Sequence, residues 1–361
     1  MNPSSELFES SARLQTRRHF LGASHVCLGA MAMAQWLPAA DKRVVRDGLN
    51  PLAPRRPMLA PRAKHVIYLH MAGSPPQHDL FDYKPELVKL NMQPCPESML
   101  EGKQFAFIKG VPNLLGTPHE FKQHGQSGAW ISDQLPFLTE FADDLCFVKS
   151  MTTNQFNHAP AQLLLHTGNQ QFGGASMGAW MTYGLGSMNE DLPGFMVMVS
   201  GGTQPSGGKS LWGSSFLPSV YQGVQCRTKG DPILYVSNPK GMSGDVRRRS
   251  LDALNHLNRL EFEQYRDPET LTRINQYELA FRMQTAAPEV MDISRENGRT
   301  LEAYGAKPGE ASFANNCLLA RRLVEKGVRY VQLFDWGWDM HGNMQSNDLV
   351  TGLPAKCRLV D

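Results

Sequence analysis

Val328-Arg329-Tyr330-Val331-Gln332-Leu333-Phe334 reads as a buried strand, and it runs directly into Asp335-Trp336-Gly337-Trp338-Asp339-Met340-His341. A near-continuous apolar run marks a strand covered on both faces, the pattern of a parallel sheet. In open α/β sheets ligands sit beyond the carboxyl ends of the strands, so an Asp and a His delivered there point to a site. Working outward, Ser312 to Lys326 has a helical pattern and Gly327 stands where a left-handed cap ends it, giving one α-to-β unit. Two other segments repeat the design. Val66 to Met71 is an apolar run that empties into Gly73, His78, Asp79 and Asp82, and Leu145 to Val148 leads on to Asn157, His158 and Pro160. A single Asp or His after a strand is commonly a cap or turn residue. Recurrence at separate strand ends gives the pattern its weight.

The chain has 361 residues, 41% hydrophobic and 19% charged, which is enough to bury a large core. Its net charge of +2 comes from nearly balanced signs, with no basic stripe interleaved with aromatics, so no nucleic-acid partner is expected. Further strands and helices are predicted along the chain. Phe195 to Val199 reads as a strand, and Gln134 to Asp143 and Ala161 to His166 as helices. Two longer helices follow, Arg247 to Tyr265 with Leu251, Leu254, Leu257 and Leu260 on one side, and Pro268 to about Thr285.

Thr16-Arg17-Arg18-His19-Phe20-Leu21 precedes an apolar, small-residue run to Leu37, the pattern of a twin-arginine export signal. Residues 1–40 are assigned to that signal, 41–62 to a Pro- and Arg-rich linker, and 63–361 to the folded domain. The apolar run carries His25, Cys27 and Gln35, too polar for a stable membrane span. The export machinery is thus an expected partner, and the location periplasmic or secreted. Of the remaining cysteines, Cys146 and Cys317 read as buried thiols, and Cys95 and Cys226 fall in loop-like stretches where a disulfide stays open. Gly207-Gly208-Lys209-Ser210 has Thr203 where a phosphate loop needs its first glycine. Ser127, in Gly125-Gln126-Ser127-Gly128, lacks the glycine spacing of a nucleophile elbow and reads as a turn.

The chain resembles the secreted bacterial proteins of domain of unknown function 1501, a sulfatase-like branch of the alkaline phosphatase superfamily. The resemblance rests on the twin-arginine start, Met71-Ala72-Gly73-Ser74-Pro75 with Asp79-Leu80-Phe81-Asp82, Asn157-His158-Ala159-Pro160, Met177-Gly178-Ala179-Trp180, and Gly337-Trp338-Asp339-Met340-His341. It implies an α/β fold, a three-layer α/β/α sandwich with a mostly parallel sheet. The chain ends at Leu359-Val360-Asp361 on what reads as a rising helix, so the fold is expected to be incomplete at its C-terminus. Pro160 and Thr167-Gly168 match the sulfatase motif. His158 stands at the nucleophile position, Gln162 at the Arg position, and Gly73-Ser74 where sulfatases place acidic residues, so formylglycine chemistry has no Cys or Ser to start from.

The expected function is an exported metal-dependent hydrolase of sulfate or phosphate esters, acting on a small-molecule or glycan ester. The alternative is a non-catalytic exported carbohydrate-binding or surface-assembly protein. His158 is the candidate catalytic residue, as ligand or general acid, and Asp79, Asp82, Asp339 and His341 are candidate ligands of a divalent ion. Carboxylates with imidazoles suit zinc, manganese or iron better than calcium. Asn157 and Trp338 are candidate substrate contacts, the indole by stacking.

Overall fold

The computed structural model of the protein describes residues 50–103, 108–227, 232–233 and 236–361. The predicted export signal and the first part of the linker lie outside the described residues. Strand β1 (Val66–Ala72) is followed by short helical turns at Gln77–Leu80, Pro85–Lys89 and Glu97–Leu100. An antiparallel hairpin of β2 (Phe121–His124) and β3 (Ala129–Ser132) comes next, then helices α1 (His158–Thr167) and α2 (Met177–Leu185). After β4 (Phe195–Ser200) and β5 (Val224–Gln225) come the long helices α3 (Gly244–Tyr265) and α4 (Pro268–Met291). The last elements are α5 (Gly298–Tyr304), α6 (Phe313–Glu325), β6 (Tyr330–Trp336) and α7 (Gly352–Val360).

The main sheet has the order β1-β6-β4-β5, and every pairing in it is parallel. The protein is therefore α/β with a mostly parallel sheet, as the apolar runs predict. Period-two alternation explains why those runs are continuous. Val331 and Leu333 of β6 and Met196 and Met198 of β4 pack against α4 and α6, while Tyr330, Phe334, Phe195 and Val197 pack on the opposite face with Leu163 of α1. Fully burying each such side chain stabilises by roughly 1.5–3 kcal/mol. The α6–β6 unit forms as read: the Ser312 hydroxyl accepts from the Asn315 amide at 3.1 Å, and Gly327 takes φ +88° to turn into the strand.

β1 occupies one edge of the sheet, pairing among the described residues with β6 alone. Ile67 and Leu69 stay exposed on it. No helix among the described residues is long and apolar enough to cross a membrane.

Several expectations are corrected. Leu145 to Val148 is irregular and mostly exposed rather than a strand, and Gln134 to Asp143 holds only a 3-10 turn at Leu138–Phe141. On α3 the leucine stripe faces outward, with Leu254, Leu257 and Leu260 exposed and Asn255 and Asn258 buried. The polar face is inside because Glu278 of α4 accepts from both Arg248 and Asn255. The described cysteines are all free; Cys146 is exposed rather than the buried thiol expected, and Cys226 is buried. Ser127 lies in the β2–β3 turn, whose amides at Gln126 and Ser127 donate to Asp143.

Candidate functional site

The parallel register places Met71 opposite Asp335 and Ala72 opposite Trp336, so β1 and β6 end together. Beyond that line each chain must turn without clashing with the other. Gly73, at φ +108°, does so against the Trp338-Asp339 backbone: a Cβ there would lie 2.7 Å from the Asp339 amide nitrogen. The Trp338 amide donates to the Ala72 carbonyl at 3.3 Å, tying the two strand ends together.

Asp335 anchors this corner from below. Its carboxylate is buried and accepts from the Ser200 hydroxyl at 2.8 Å, the Trp338 indole at 3.0 Å and the Lys356 ammonium at 2.6 Å. Lys356, on α7, also donates to the Trp336 carbonyl. Trp338 is 2% exposed and packs with Leu80, Ile131 and Leu353. The expected stacking of Trp338 on substrate is therefore corrected: its indole is a core anchor that aims the next residue outward.

That next residue carries the centre. Asp339 Oδ2 lies 2.9 Å from His158 Nε2 and 2.8 Å from His341 Nε2. A carboxylate only accepts, so each imidazole presents Nε2–H to the shared oxygen, leaving Nδ1 as the basic nitrogen. His158 opens α1, where the helix dipole favours an anion, and its ring meets Trp336 edge-on. Asn157 caps that helix by backbone alone, so its exposed side chain is left to face the groove.

Two contiguous depressions, each of about 410 Å³, share Gly73, Ser74, Pro75, His158 and Ala161 as lining. Asp339 and Asn157 line the first, Tyr68 and His70 the second. Behind the second, His70 and His166 pack ring to ring at 4.8 Å between Tyr68 and Phe334. Burial holds both rings neutral, lowering His70 to about 4 and His166, also beside His70, to about 3.

The other expected ligands stay outside this arrangement. Asp82 pairs with Lys84 at 2.9 Å and faces Lys149 at 4.0 Å; the hydrogen bond from Lys84 holds its carboxyl below the ordinary range. Asp79 is buried without a hydrogen-bond partner, 4.0 Å from His78, and lines neither depression. Among the described residues no group of three or more His, Cys, Asp or Glu side chains is placed to hold a metal ion. The donor types at Asp339 suit zinc, manganese or iron, but both Nε2 atoms are spent on one carboxylate oxygen. As arranged, these residues are placed for proton transfer.

Sequence reasoning puts Asp335 in the strand-end cluster without its anchoring role, and misses Ser74 and Lys356 as parts of this corner. Ser74 takes a left-handed φ of +72°, uncommon for a residue with a side chain, and nothing in the residue string marks that conformation. Lys356 lies well downstream of the carboxylate it neutralises, a separation that hides the pair.

A family model described as a protein of unknown function, DUF1501, matches residues 63–353. The chain belongs to the DUF1501 family. The match includes β1, the whole described sheet, and all three residues of the Asp339 cluster, so this DUF1501 chain builds its candidate site within the family's own span. No curated protein and no solved structure matches the chain.

Proposed function

We propose that this DUF1501 protein is an exported hydrolase of sulfate or phosphate esters, built on a three-layer alkaline phosphatase-like scaffold, with His158 at its reaction centre. The single observation that carries the reading is the Asp339 carboxylate bracketed by two imidazoles at the carboxyl end of a parallel sheet, opening on a groove. Asp339 fixes the His158 tautomer and stabilises the ring when it is charged; His341 supports the same oxygen from the solvent side. His158 Nδ1 then takes a proton from the attacking oxygen and passes it to the departing alcohol oxygen as the ester bond breaks. The twin-arginine pattern at Arg17-Arg18 is the support for export.

The test is turnover of 4-nitrophenyl sulfate and 4-nitrophenyl phosphate by the full chain. His158→Ala is expected to lose about 10²–10⁴-fold in rate, the usual contribution of a positioned acid–base group. Equal turnover in the variant, or none in the parent protein, overturns the reading. The second reading, an exported carbohydrate-binding or surface-assembly protein, is favoured by His158 standing where sulfatases carry their nucleophile. Glycan binding that survives His158→Ala, without hydrolysis, selects it.

A further inference from the structure

We propose that Ser74 is the nucleophile of this site, forming with His158 and Asp339 a Ser-His-Asp arrangement; the inference rests on the hydrolase reading of the same groove. β1 ends at Ala72, the chain turns sharply through Gly73 and Ser74, and Pro75-Pro76 leads into the helical turn at Gln77–Leu80. This strand, sharp turn and helix hold Ser74 at φ +72°, a conformation that costs a residue with a Cβ and is concentrated at functional positions. The turn is like a nucleophile elbow in setting a hydroxyl at the end of a strand, with Ala72 and Pro76 where the elbow's two glycines stand. Ser74 is exposed and lines both depressions alongside His158.

Asp339 takes His158 Nε2–H, so the basic Nδ1 is the nitrogen available to a hydroxyl, and Gly73 packs directly on Asp339. In the resting arrangement the Ser74 hydroxyl bonds no described residue; such contacts commonly tighten only when substrate binds. In the first step Ser74 Oγ bonds to the sulfur or phosphorus, its proton passes to His158, and the ester bond breaks with its electron pair on the leaving oxygen. That oxygen takes the proton from His158 and departs as the alcohol. Water then attacks the seryl ester, giving its proton to His158, which returns it to Ser74 as inorganic sulfate or phosphate leaves.

The experiment is labelling of the full chain with a fluorophosphonate, read by peptide mass spectrometry, alongside turnover of the two 4-nitrophenyl esters. Ser74 is expected to be the modified residue, with labelling lost in His158→Ala. Ser74→Gly keeps the left-handed turn and is expected to lose turnover about a thousandfold or more. Ser74→Cys is expected to regain thiol-directed labelling by iodoacetamide faster than the exposed Cys146. Turnover that survives in Ser74→Gly overturns the nucleophile while leaving the hydrolase reading intact. His158-dependent labelling of Ser74 without turnover of either ester supports the nucleophile and overturns the sulfate and phosphate assignment. Labelling elsewhere, or of Ser74 at an equal rate in His158→Ala, sinks the proposal.

Discussion

Lys356 on α7 neutralises Asp335 at the end of β6, with 2.6 Å between ammonium and carboxylate and both groups nearly closed off from water. The pair is the fixed point from which Trp338 and then Asp339 are aimed. Removing one partner leaves the other charge buried alone, so Lys356→Met is expected to cost about 3–5 kcal/mol. Denaturant unfolding measures it, and Asp335→Leu with Lys356→Met should recover most of the loss. An unchanged midpoint in the single variant contradicts this account.

The His70–His166 pair ties stability to pH. Both rings are neutral when folded, at about 4 and about 3, whereas in the unfolded chain they protonate near the ordinary value. Below about pH 6.5 the unfolded state therefore binds more protons, and stability falls as pH drops toward the folded values. It is fully present above that range. His166→Phe is expected to flatten the slope measured between about pH 7.5 and pH 5; an unaltered slope removes His166 from the explanation.

Gly73→Ala combines a positive φ with a clash against the Asp339 amide. It is expected to destabilise by about 1–3 kcal/mol and to lower ester turnover by displacing Asp339. Gly168→Ala has a positive φ but open space around it, so it isolates the backbone cost. If the two variants lose turnover equally, contact with Asp339 is not what matters at Gly73.

Thiol reactivity should follow burial. Cys146 is exposed, whereas Cys226 and Cys357 are buried, and burial pushes the Cys226 thiol up to about 12. Rapid native labelling of Cys146, with Cys226 and Cys357 protected until denaturant is added, is the expected result of a timed maleimide reaction. Reductant should leave the melting temperature unchanged.

The sheet is legible as apolar runs, both in β4 and β6, buried on both faces, and in β1, whose outer face is exposed. β1, β4 and β6 show as apolar runs, and α6 shows its Ser312 cap and Gly327 stop. Leu145 to Val148 has the same local composition but lies exposed, a distinction that depends on which elements cover it. The β2–β3 hairpin has little signal because Phe121–His124 is largely polar, although Gly125-Gln126-Ser127-Gly128 marks its turn. On α3 the leucines share one side, but which way that side faces is set by the Arg248–Glu278 contact, which turns the asparagines inward. In the site, Asp339 and His341 follow from strand-end logic at β6, whereas His158 joins them from the start of α1, since the Leu145–Val148 segment that pointed to it is not a strand. Asp79 and Asp82 shared the same signal but point into the core and toward lysines, directions that only tertiary packing decides.

The outer edge of β1, unpaired among the described residues, has a bearing on handling. Its outward amides and carbonyls have no ladder partner among the described residues, and Ile67 and Leu69 sit beside them. An uncovered sheet margin of this kind recruits any extended polypeptide nearby. Sedimentation velocity at rising protein concentration should accordingly show growth of larger species, and Ile67→Lys should suppress it.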